Sequence, residues 1–334
     1  MNRHPRLTID RRTLLQTAVL STLAASLPRA WAGSPDLPVG PFGAESTAEE
    51  VTRGLDLSGM TIVVTGCNSG LGYETMRVLA MRGAHVIGTA RTNEKGERAC
   101  GSIDGNATPV VLELSDFDSV RACAQTIEEM DTPIDVLMCN AAIMALPELE
   151  LVRGIERQFV VNHLGHFILV NSLLGTVIKA DQGRIVMVSS GAHRFAPKEG
   201  IDFDNLDGSQ SYEGWAAYGR SKLANGLFAA ELARRLEGTS VTANSLHPGV
   251  IKTNLGRHLE RDDDDDDTGR YNKSIEQGAA TQCYVATSPI ITDVSGQYFV
   301  DCNPADPNPL MYDKALAARL WTVSEELTQP GTLG

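Results

Sequence analysis

The sequence predicts a single α/β domain, a doubly wound parallel sheet with helices on both faces, over residues 55–334. Three observations predict it. Short apolar runs of strand length alternate with segments of helical spacing. A glycine-rich turn joins the first strand to the first helix. Three further clusters rich in polar residues or glycine fall just past the ends of later strands. Apolar strands separated by helices favour parallel pairing, because each crossover helix covers one face of the sheet. Ligands of such sheets bind beyond the carboxyl ends of the strands.

Met60-Thr61-Ile62-Val63-Val64 reads as the first buried strand, over 61–65. Further strands are expected at 85–89, 108–112, 134–140, 184–189, 241–246 and 297–301. Helices are expected over 71–82, where Leu71, Met76, Leu79 and Ala80 keep a helical period, and over 119–130, 151–177, 215–236 and 315–327. Between the first strand and helix stands Thr65-Gly66-Cys67-Asn68-Ser69-Gly70-Leu71-Gly72. Missing side chains let backbone approach a pyrophosphate, whose charge rests at the helix N-terminus. Cys139-Asn140, Ser189-Ser190 and Leu246-His247-Pro248-Gly249 end later strands, so they share a rim with this turn.

Tyr218 and Lys222 stand four apart in Trp215-Ala216-Ala217-Tyr218-Gly219-Arg220-Ser221-Lys222, on one face of the expected helix. An ammonium beside a phenol favours the phenolate, drawing a pKa of about 10 towards neutrality. A tyrosine poised in this way can give or take a proton.

These motifs, in this order from Leu57 to Leu327, resemble the short-chain dehydrogenase/reductase superfamily. Thr65, Gly66, Gly70 and Gly72 meet its Thr-Gly-x-x-x-Gly-x-Gly pattern. Asn140-Ala141-Ala142 stands for its Asn-Ala-Gly, with Ala at the last place. Asn162, Ser190 and the pair Tyr218 and Lys222 match its catalytic residues, and Pro248-Gly249 followed by Thr253 matches its Pro-Gly turn. Ser221-Lys222-Leu223-Ala224-Asn225, Leu246-His247-Pro248-Gly249-Val250 and Leu320-Trp321-Thr322-Val323-Ser324 resemble the retinol-dehydrogenase-like branch.

The resemblance implies a Rossmann-type fold, a homo-oligomer, and hydride transfer between a nicotinamide dinucleotide and an alcohol or carbonyl. Tyr218 would pass the proton. Lys222 would lower the phenol pKa and hold the nicotinamide ribose, Ser190 would polarise the substrate oxygen, and Asn162 would keep a relay water. Gly66, Asn68, Ser69, Gly70, Leu71, Gly72, Asn140, Ala141, Pro248, Gly249 and Thr253, with Tyr218 and Lys222, would line the cofactor. The second strand ends Ala90-Arg91 with no acid, which favours NADP(H) over NAD(H), since an Arg can pair with a 2′-phosphate. Glu113-Leu114 replaces the family's Asp-Leu at the adenine pocket. The aromatic stretch holding Phe195, Phe203, Tyr212 and Trp215 would border the mouth and suit an apolar substrate. A substrate lid is expected around 250–275. The alternative function is a catalytically silent NAD(P)-binding regulator on the same fold.

The formal net charge of −13 argues against binding nucleic-acid backbones. Arg11-Arg12, the uncharged apolar run from Leu14 to Leu27, and Ala30-Trp31-Ala32 read as a twin-arginine signal peptide over 1–32. That implies a periplasmic or secreted enzyme with no stable membrane span after cleavage; the alternatives are a cytoplasmic protein or an uncleaved anchor. Residues 33–54, rich in Pro, Gly and small residues up to Ala48, are expected to be extended. No other stretch reads as long and apolar enough to cross a bilayer. The six cysteines read as small buried hydrophobes rather than disulfides. The run Asp262 to Asp267 reads as solvated, and no metal site is expected. His163 and His166 read as packing residues, and Ser190 with His193 does not read as a hydrolase pair, since no Gly-x-Ser-x-Gly elbow surrounds the serine.

Overall fold

The computed structural model describes residues 37–259 and 272–329. The leader over 1–32 and the acidic run Asp262 to Asp267 lie outside them. Among the described residues, ten strands run in chain order: β1 Thr61–Val64, β2 His85–Ala90, β3 Asn106–Val111, β4 Val136–Cys139, β5 Leu151–Val152, β6 Ile155–Glu156, β7 Arg184–Val188, β8 Thr242–His247, β9 Tyr298–Val300 and β10 Asn303–Pro304. The α-helices are α1 Ala48–Val51, α2 Gly70–Met81, α3 Asn93–Cys100, α4 Phe117–Glu128, α5 Arg157–Ile178, α6 Gly214–Arg235, α7 Ile275–Thr287 and α8 Lys314–Thr328.

Eight strands form one sheet in the order β10-β9-β8-β7-β4-β1-β2-β3, parallel throughout except for the antiparallel β10. The central strands β1, β4 and β7 are buried at every position, as a sheet covered on both faces requires. One apolar core gathers Phe159, Leu169, Phe228 and Trp321 from α5, α6 and α8. The other lies across the sheet and gathers Met76, Leu79, Tyr284 and Val285 from α2 and α7. Pro109 sits in β3, the edge strand, where a missing N–H costs no inner ladder bond.

Four expectations are corrected. Residues 37–54 are docked rather than extended: Gly40 N donates to Asn303 Oδ1 (3.1 Å), and Phe42 packs edge-on against Tyr284. Within that stretch α1 forms because Thr47 and Glu50 build a reciprocal capping box. The helix expected from 151 starts at Arg157, since β5 and β6 make a hairpin first and the buried carboxylate of Glu156 caps the helix through Gln158 N and Phe159 N. Helices α3 and α7 carry no sequence assignment above. Helix α3 lacks an apolar stripe, and Gly96 lies in it because a Cβ there would stand 3.0 Å from Pro109. Helix α7 opens on a Ser274–Gln277 capping box, a signal present in the sequence. Finally, α5 is itself long and apolar enough to cross a bilayer, yet 72% of its most apolar window is buried in the core.

Candidate active site

The carboxyl ends of β1, β2, β3, β4, β7 and β8 open into one cavity of about 890 Å³. Gly66, Asn68, Ser69, Gly70, Leu71 and Gly72 form one wall. Arg91, Glu113 and Leu114 line the β2 and β3 side, and Asn140 and Ala141 follow β4. Ser190, Tyr218, Lys222, Pro248, Gly249 and Thr253 line the β7 and β8 side. Of the residues expected above to be catalytic or to line the cofactor, only Asn162 is not part of the lining.

The glycine turn leaves no room for a side chain at Gly66 or Gly72. Gly66 has φ +71°, and a Cβ on Gly72 would lie 2.2 Å from the Gly66 carbonyl oxygen and 2.6 Å from Asn140 Nδ2. Thr65 ties the turn to the β4 loop: its Oγ1 accepts from Asn140 N (2.8 Å) and Ala141 N (2.9 Å), while Asn140 Nδ2 donates to the Thr65 carbonyl (2.8 Å). With two donors on that hydroxyl oxygen, its own proton goes to His166 Nε2 (3.0 Å). The protonated Nδ1 of His166 then donates to the Asn162 carbonyl (3.1 Å).

Asn162 sits in a π-turn of α5, Val160–Leu164, with no surface exposed. Its amide is fully engaged: Oδ1 accepts from Ile143 N (2.9 Å), and Nδ2 donates to the Ile143 carbonyl (2.9 Å) and to Ser221 Oγ (2.9 Å). Ser221 in turn donates to the Tyr218 carbonyl (2.7 Å). The Asn162 side chain therefore braces the cavity wall from behind.

Tyr218 and Lys222 also depart from the expectation. Burial pushes the phenol up to about 12, against a smaller opposing effect of the Ser190 hydroxyl. Burial also brings the lysine down to about 7. Lys222 Nζ lies 5.7 Å from the Tyr218 ring centroid and donates to the Val188 carbonyl (2.9 Å). Desolvation favours the neutral form of each group.

At the mouth, Phe195 stands edge-on to Trp215, and Trp215 edge-on to Tyr218, each pair with centroids 6.1 Å apart. The other two aromatics of that stretch lie off the cavity: Phe203 packs under the Arg319 guanidinium (4.2 Å), and Tyr212 donates to the Leu146 carbonyl (2.7 Å). Arg157, Arg257, His258 and His247 also line the cavity, though no motif assigned them a role. His247 Nδ1 accepts from Gly191 N (3.0 Å), pinning the end of β8 beside Ser190.

His193 offers no hydrolase pairing with Ser190. Its Nε2 accepts from Asn308 N (2.9 Å), so its Nδ1 proton goes to the Ser190 carbonyl (2.5 Å), not the hydroxyl. His163 bonds Ser324 Oγ (2.8 Å). All six cysteines are buried and free, and no metal-ligand cluster occurs among the described residues.

Burial depresses His163 to about 3 and both His166 and His247 to about 4. Each takes up a proton more readily unfolded, with a pKa of about 6.5, than folded. Stability should therefore fall as pH drops from about 6.5 towards 4, at a limiting slope of about 4 kcal/mol per pH unit if all three act. Thermal midpoints across that window check this; a flat profile would contradict it.

Fold and site together define an α/β oxidoreductase of the nicotinamide-dinucleotide type. The chain belongs to the short-chain dehydrogenase family, whose sequence profile matches residues 60–203 and 204–264. It is 40% identical over 302 residues to the short-chain dehydrogenase TIC 32 A, chloroplastic, of Brassica napus, covering 86% of this chain and 94% of that protein. It is 40% identical over 303 residues to human retinol dehydrogenase 14, covering 83% and 89%. An uncharacterised protein of Mycobacterium paratuberculosis superposes with a TM-score of 0.70 at 35% identity, covering 85% of this chain and 97% of that one.

Proposed function

We propose that this chain is an NADP(H)-dependent oxidoreductase that interconverts an alcohol and a carbonyl on an apolar small molecule, with Tyr218 as general acid and base. The observation that carries this reading is that Tyr218, Ser190 and Lys222 line the same cavity as a glycine turn with no room for a side chain at Gly66 or Gly72. The cavity is large enough for a dinucleotide and a small substrate. Gly66 to Gly72 would hold the pyrophosphate, Arg91, Glu113 and Leu114 the adenosine end, and Lys222 the nicotinamide ribose. Bound there, the cofactor supplies or accepts the hydride.

Tyr218 keeps its proton at neutral pH and is ready to give it to a carbonyl oxygen, while Ser190 donates a hydrogen bond to the same atom. Asn162 acts as a positioning residue, through Ser221 and the backbone of Ile143. The Phe195–Trp215 edge supports an apolar substrate, in keeping with a relative named for retinol, an apolar alcohol. Turnover of NADPH or NADP⁺ with a panel of aldehydes, ketones and alcohols tests the reading. Cofactor binding with no turnover on any of them would favour the silent regulator.

Arg91 lines the β2 side and is solvent-exposed, so its removal should leave the fold intact. Arg91→Ala is expected to weaken NADPH about tenfold and NADH little, since one charge-assisted phosphate contact is lost. Equal loss of both, measured by direct binding, would remove the case for NADP(H).

A further inference from the structure

Three arginines from separate elements line the same cavity, and the charges of the first two act on the third: Arg91 just after β2, Arg157 at the start of α5, and Arg257 on the short 3-10 helix Asn254–His258. In a chain of net charge −13 such a set is local, not part of a basic surface. Arg157 pairs with Glu150, and its buried Nε has no hydrogen-bond partner. Arg257 donates to the Asn254 carbonyl (3.1 Å), and neither it nor Arg91 pairs with a carboxylate among the described residues. Burial first, then the charges of Arg91 and Arg157, hold the Arg257 guanidinium below its ordinary range. The short helix is seated on the glycine turn, since a Cβ on Gly70 would stand 3.4 Å from Thr253 Cγ2. Cationic heads with one acid between them repel each other unless an anion lies among them, and guanidinium groups match phosphate oxygens in charge and geometry.

We infer that Arg257 and Arg157 join Arg91 around one phosphate monoester, the 2′-phosphate of NADP(H), so that the segment after Thr253 belongs to the nucleotide site as well as to the substrate mouth. The inference rests on the NADP(H) reading and extends it to two residues outside any motif. Glu150 offsets part of the charge on Arg157, which leaves Arg91 and Arg257 as the stronger contributors.

The test is equilibrium binding of NADPH, NADH and adenosine 2′-monophosphate to the full-length protein and to Arg91→Ala, Arg157→Ala, Arg257→Ala and Arg257→Lys. Arg257→Ala should weaken NADPH and adenosine 2′-monophosphate about tenfold and NADH less than about twofold, with Arg257→Lys recovering part of the loss. Arg257 is exposed, so an unchanged thermal midpoint should accompany the effect. The inference is overturned if wild type prefers NADPH and loses it in Arg91→Ala, but Arg257→Ala and Arg157→Ala bind it normally. It is also overturned if these variants keep NADPH and lose only turnover of acidic substrates, which would assign the cluster to a substrate anion. If wild type binds NADH as tightly as NADPH, the NADP(H) reading itself fails, and this inference with it.

Discussion

Tyr218→Phe is expected to lower turnover by about 10² to 10⁴-fold while NADPH binds as in wild type. The substitution removes one oxygen from a buried ring and keeps its packing beside Trp215. That hydroxyl is the proposed acid or base and lines the cavity with Ser190, and the amine of Lys222 is engaged with the Val188 carbonyl. With the phenol pushed up to about 12, the wild-type enzyme should reduce carbonyls well at neutral pH. Alcohol oxidation needs the deprotonated phenol, so its rate should climb as pH rises above neutrality. Steady-state rates in both directions from pH 6 to 10, with cofactor affinity measured separately, provide the check. Full activity in Tyr218→Phe would end the proposed acid–base role.

Gly72→Ala should abolish tight cofactor binding. The added Cβ would meet the Gly66 carbonyl at 2.2 Å and Asn140 Nδ2 at 2.6 Å, and the first contact is with backbone that Thr65 already fastens to β4. Relieving such an overlap costs about 1–3 kcal/mol and must move the turn itself. NADPH affinity should fall about a hundredfold. Titration of the variant, with circular dichroism to verify the fold, tests this. Unchanged affinity would mean that the turn is not where the pyrophosphate rests.

The two predictions differ in how far each could be foreseen. The spacing of Gly66, Gly70 and Gly72 after an apolar strand is a local signal, since a tight strand-to-helix turn depends on neighbours in the chain. The i,i+4 relation of Tyr218 and Lys222 is local in the same sense. Their ionisation is not. It depends on how much water the folded protein removes from around both groups, and burial pushes the phenol up and the amine down.

Strand and helix alternation, the sheet's parallel character, the glycine turn and the order of the motifs were determined by the sequence alone, because apolar periodicity and turn chemistry operate over a few residues. Only the tertiary structure decided that Asn162 braces the wall from behind, that residues 37–54 dock on Asn303 and Tyr284, and that Arg91, Arg157 and Arg257 line one cavity. Each of these joins residues far apart in the chain. The distances, and the water excluded between them, exist only once the sheet and its two layers of helices have packed.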